Sequence, residues 1–156
     1  MEEKVDVEAL LMDMLSRDKT RVWRASCTII SLGQQPEHFP VLIEHLPQIL
    51  KKTRWLNLGG ALAPKQRFLD YAVKTIEFHR DSTECPCALY TGHTGFDPRK
   101  EDGRKHITLL ETVTLDGGYP DYHRVQCKRC GQRFKALERE YHFTWWKWEK
   151  EPAENQ

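Results

Sequence analysis

Two cysteine pairs constrain this chain more than any other feature: Cys85-Pro86-Cys87 and Cys127-Lys128-Arg129-Cys130. Thiols spaced this closely can aim both sulfurs at one centre, and two such pairs supply the four ligands of a tetrahedral ion. Any fold must then bring the first segment to the second. Gly131 follows the second pair at once, where a reversing chain needs a residue that tolerates positive φ. The flanking stretches "YHRVQC" and "RFKAL" are strand-like, which places that pair at the tip of a hairpin. Four thiolates leave no open coordination position, so Cys85, Cys87, Cys127 and Cys130 point to a structural zinc site rather than a catalytic one. Iron accepts the same ligand set.

Other uses of these cysteines are weighed against their setting. The start, Met1-Glu2-Glu3-Lys4, is acidic where a secretory signal is basic, and no segment is long and apolar enough to cross a bilayer. A cytoplasmic location is expected, where thiols stay reduced and metal is favoured over disulfides. A redox Cys-x-x-Cys lies between a strand and a helix N-terminus; here Gly131 and a strand-like run follow instead. Mixed ligation remains open, with His123 or His93 replacing a cysteine. The fifth cysteine, Cys27, reads as a small core residue.

The first half of the chain is helical by periodicity. Leu10, Leu11, Met14 and Leu15 form a stripe over residues 7–15. Asp18 can cap a second helix to about Leu32, stopped by Gly33. A third helix runs over about 39–51, with Pro47 expected to kink or shorten it. Gly59-Gly60 breaks the pattern, and Pro64 opens a fourth helix to about His79, with Leu69, Val73 and Ile76 in one row. Near Asp81 the character changes. Strands are expected over 107–115, 122–126, 132–138 and 141–148, with Asp116-Gly117-Gly118 as a turn. The polar stretch 92–105 reads as a surface loop. The expectation is an α+β protein: a helical region 1–80 packed on a small antiparallel zinc-bound β region 81–150, ending in a disordered tail 151–156.

Two resemblances add to this reading. The run "VWRASCTIISLG" (22–33) resembles one helix of a HEAT-type repeat, and "HFPVLIEHLPQIL" is similar to the second helix of such a pair. HEAT-like units bind proteins along a helical surface, so the resemblance implies a binding role. Cys127, Cys130 and Gly131 resemble the knuckle of a zinc ribbon. The first pair departs from the ribbon pattern, with one residue between its cysteines rather than two.

Catalytic patterns are missing from the sequence. It has no glycine-rich phosphate loop, no Gly-x-Ser-x-Gly and no His-Glu-x-x-His. Nor does it have the His-x-Glu and Pro-Cys-x-x-Cys of zinc deaminases. The chain is therefore expected to be a non-enzyme. The unusual run 141–148 offers Trp146 and Trp148 as partner-binding anchors, although a strand buried between helices and sheet would also use such rings. The leading expectation is a protein-binding protein, for instance an immunity protein that neutralises a toxin domain by covering it. The alternative is a nucleic-acid-binding zinc-ribbon module using Lys128, Arg129 and Arg133. A formal net charge of +1 argues against strong general attraction to nucleic acid or membrane.

Overall fold

The computed structural model describes residues 5–59, 64–141 and 143–152. Helices fill the N-terminal half and a four-stranded antiparallel sheet fills the C-terminal half, an α+β class. The chain divides into two compact units, Met1–Pro86 and Cys87–Gln156. Among the described residues no helix is long and apolar enough to cross a membrane.

In the first unit, helix α1 spans Val7–Met14 and α2 spans Lys19–Ser31. Each begins where an aspartate satisfies an otherwise unpaired amide. Asp6 accepts from Ala9 N–H at 3.1 Å, and Asp18 from Arg21 N–H at 3.0 Å. The expected third helix is two, α3 Pro40–Glu44 and α4 Leu46–Thr53, joined at His45. Pro47 has no N–H to give the preceding turn, so it starts a new helix instead of continuing the old one. Helix α5 spans Pro64–Asp81. Met14, Val22, Ile29, Phe39, Leu42, Leu46, Ile49 and Ile76 bury their side chains as one core. Gly60 lies outside the described residues.

In the second unit the strands run in sequence order: β1 Ile107–Thr114, β2 Pro120–Cys127, β3 Arg133–Tyr141 and β4 Phe143–Lys150. Each hairpin is antiparallel, and β1 carries a bulge between Leu109 and Glu111. Alternation places Ile107, Val125, Cys127, Phe134, Ala136 and Trp148 on one covered face.

The stretch 92–105, expected to be a surface loop, is helical over half its length. A 3₁₀ helix covers Pro86–Gly92, and a short helix α6 covers Pro98–Gly103. Asp97 caps α6 by accepting from Arg99 N–H at 2.9 Å, and Pro98 pre-sets its first turn. Phe96, Pro98 and Glu101 are buried. Glu151, assigned to the tail from sequence, is tied to the sheet: its N–H donates to Arg133 O at 2.9 Å, and its carboxylate takes Arg124 at 2.8 and 3.0 Å. Residues 153–156 lie outside the described residues.

Candidate metal centre

The centre is assembled from a turn and a 3₁₀ helix. Cys127 ends β2, and the chain reverses through Lys128, Arg129, Cys130 and Gly131 before β3. Gly131 N–H donates to Cys127 O at 2.9 Å, and Cys127 N–H donates to Gln132 O at 2.8 Å, which closes the knuckle. Gly131 has φ +83°, so a side chain there would strain the turn. Arg129 N–H points at Cys127 Sγ from 3.4 Å, the arrangement by which amides stabilise a thiolate. Cys85 and Cys87 flank Pro86, the first residue of the 3₁₀ helix, whose carbonyl takes Gln34 Nε2 at 2.9 Å.

All four sulfurs lie within 4.8 Å of one another, with Cys87 Sγ and Cys130 Sγ 3.5 Å apart. A tetrahedral ion with metal–sulfur bonds of about 2.3 Å needs sulfurs about 3.8 Å apart. The donor set is therefore compatible with a single metal ion, and none of the four is in a disulfide. Cys87 and Cys127 are buried, Cys85 is half-buried and Cys130 is at the surface. Four thiolates on a divalent ion leave net negative charge. Lys128 and Arg129, both exposed on the knuckle, lie where they can offset it. Arg133 stands at the start of β3, half-buried.

No family model, curated protein or solved structure matches this chain. The reading of its sites therefore rests on its own residues.

The two histidines weighed as ligands are engaged elsewhere. His123 is fully buried, with Nδ1 2.9 Å from Thr112 Oγ1 and Nε2 2.8 Å from Glu138 Oε1. His93 Nδ1 accepts from Gly95 N–H at 3.0 Å, and burial pushes its pKa down. Among the described residues the only clustered metal-ligating group is the four cysteines. Cys27 is half-buried on α2, and burial raises its thiol pKa.

The chain from Thr112 through His123 to Glu138 was not foreseen from sequence. It has the order of a hydroxyl, a base and an orienting acid, but its members are closed on one another. Glu138 also accepts from Trp146 Nε1 at 3.0 Å and lies 3.3 Å from Arg99. Each polar atom named has a partner within the sheet and α6, which suits a buried polar brace. A second brace is the buried Glu101, 3.1 Å from Arg104 and 3.6 Å from His106 Nδ1. Burial first, and then the charge of Glu101, raises the pKa of the neighbouring Tyr90 hydroxyl. These braces depend on register and on a short helix, neither of which periodicity specifies.

One of the two candidate anchors on β4, Trp148, needs correction. Trp148 is buried, stacks on Tyr90 with ring centroids 4.2 Å apart, and donates Nε1–H to Phe96 O at 2.9 Å. It faces Ala136, whose small side chain leaves room for the indole on the covered face. Trp148 is thus a core residue, out of reach of a partner. Trp146 is half-buried, and its indole N–H is spent on Glu138. In the sheet, β4 is an edge strand. Tyr141 and His142 side chains fall outside the described residues.

Proposed function

We propose that this chain is a non-enzymatic protein-binding protein whose β unit is held by one structural zinc ion. The observation that carries the metal part is the convergence of four sulfurs within 4.8 Å. A saturated thiolate set leaves no position for water or substrate, which supports a structural role. Support for binding comes from the helical unit, where Trp55 is 88% exposed and Met12 and Leu50 also face solvent. Tryptophan is enriched among the energetic anchors of protein interfaces. An immunity protein that covers a toxin domain is one concrete form of this reading.

The nucleic-acid alternative draws on Lys128 and Arg129, exposed on the knuckle. Much of the sheet's other positive charge is already committed. Arg124 pairs with Glu151, Arg139 with Asp121 at 3.0 Å, and Lys135 sits 4.1 Å over the Tyr122 ring. Charge held in internal pairs is not available to release counterions from phosphates.

Two measurements test the proposal. Elemental analysis of the purified chain should find one zinc per molecule, lost in Cys130→Ser. Affinity capture from nuclease-treated host lysate should retain a stoichiometric protein through moderate salt. Recovery of nucleic acid alone, in a salt-sensitive form, would instead select the zinc-ribbon alternative.

A further inference from the structure

The loop after α1 and the end of α4 enclose a small hollow on the helical unit. It measures about 210 Å³ and is lined by Arg17, Lys51, Lys52, Trp55 and Leu56. Three of these five residues are cations and two are apolar, so the hollow has an aromatic and aliphatic floor inside a positive rim. Arg17, Lys51, Lys52 and Trp55 are all exposed, and Trp55 is the most exposed large hydrophobic residue described. Arg54 adds a fourth cation, its guanidinium 5.4 Å from the Trp55 ring.

What marks this patch is that several cations, none in an ion pair with a described residue, gather around one exposed indole. Among the described residues no carboxylate lies within ion-pair distance of Arg17, Lys51, Lys52 or Arg54. Asp18, next along the chain to Arg17, is turned to the N-terminus of α2, where it accepts from Arg21 N–H. On the sheet, by contrast, Arg124 and Arg139 hold carboxylates. Unpaired like charges gathered around an exposed indole repel one another, and a negative partner relieves that repulsion while covering the ring.

We infer that this hollow is the docking point for an acidic segment of a protein partner, with carboxylates meeting Arg17, Lys51 and Lys52 and an apolar side chain lying on Trp55. The inference rests on the protein-binding reading above and supplies its surface and the partner's chemistry. A peptide occupant is favoured over single-stranded nucleic acid on two grounds. The net charge of the chain is +1, and the rim is a compact cluster rather than a track along which a phosphate backbone could run. Arg17 holds φ +60°, a conformation that glycine adopts more cheaply, so Arg17→Gly removes the charge without straining the backbone.

The test is an NMR titration of the zinc-loaded full chain with a short, end-blocked peptide of glutamates around one phenylalanine. A single-stranded oligothymidylate of equal charge serves as the competing probe. The peptide should shift the Trp55 indole N–H and the Lys51 and Lys52 amides. Its affinity should fall at least about tenfold in Trp55→Ala and in the Lys51→Glu, Lys52→Glu double variant. Arg17→Gly should weaken binding with the melting temperature unchanged. Shifts confined to other residues, or variants that bind like the wild type, would overturn the inference. Tighter binding of oligothymidylate at the same resonances would do so too, and would assign the hollow to nucleic acid. Lysate capture separates this claim from the broader one. A protein partner retained equally by wild type and the double-lysine variant removes the hollow alone. If no protein is captured at all, the binding reading fails and this inference fails with it.

Discussion

Glu138 carries its carboxylate onto the covered face of the sheet, where burial by itself would push the carboxyl pKa up. Hydrogen bonds from His123 and Trp146, with the charge of Arg99, outweigh that burial and hold it below the ordinary range. A carboxyl depressed in the folded state stabilises the fold above its unfolded pKa of about 4.3, and the gain is lost as pH falls through the folded value. Glu138→Gln keeps the shape, gives up the charge, and leaves His123 and Arg99 facing a neutral amide. The variant should therefore melt lower than wild type at neutral pH, by the equivalent of about 1–3 kcal/mol. The gap should close below about pH 4. Thiolate protonation weakens both proteins alike in acid, so the difference between the two melting curves isolates Glu138. Curves that stay parallel down to acid pH would show that the carboxylate contributes no charge-dependent stability. His123 also shows what sequence could not reveal at this scale. Its position four residues before Cys127 suggested a possible ligand, and in a strand that spacing does share a face. Which way along the face the ring turns depends on Thr112, directly opposite in β1, and on Glu138, two residues beyond the opposite Ala136 in β3, a placement that no local pattern encodes.

At the scale of elements, what could be read from sequence followed local chemistry. Asp18, Gly33, Pro47 and Pro64 mark real helix limits because capping and the missing proline N–H act within a few residues. The strands were likewise visible in β-branched and aromatic runs, within a few residues at each end. The segment 92–105 reads as a loop from sequence because its polar surface hides long-range ties. Thr94 O accepts from Trp146 N–H at 3.0 Å, and Phe96 O accepts the Trp148 indole, so the segment lies along the edge of β4. Such cover also blunts an edge strand that would otherwise offer unpaired backbone groups to other chains. This gives Trp148 a double role, filling the core against Tyr90 and Phe134 while pinning the segment. Trp148→Ala should cost about 3–5 kcal/mol. Trp148→Phe should retain much of the packing while losing the bond to Phe96 O. Chemical denaturation of the two variants checks this. If the phenylalanine variant proves as unstable as the alanine one, the indole hydrogen bond matters more than the ring's volume.

For the whole molecule, the four-cysteine cluster is readable because cysteine spacing states a ligand set directly, whereas the exposed cationic hollow around Trp55 depends on where the α1–α2 loop and the end of α4 meet. The two differ in what they ask of the chain. The centre joins the turn after β2 to the 85–87 segment, which are remote in sequence, so it closes a long loop that the unmetallated chain must close by packing alone. Structural zinc in small sites contributes folding free energy of about 10–16 kcal/mol in apparent terms near neutral pH. The helices of the first unit have a buried core of their own, from Met14 to Ile76. Chelation should therefore act unevenly. Hydrogen exchange on the full chain, with and without a strong chelator, should show protection lost from 85–92 and from the turn and flanks of β2 and β3. Amides in α2 and α5 should keep most of theirs. The same pattern should appear in Cys130→Ser without chelator. Uniform loss across both units would mean that the metal governs the cooperativity of the entire chain, and no loss anywhere would mean that packing alone holds the four sulfurs together.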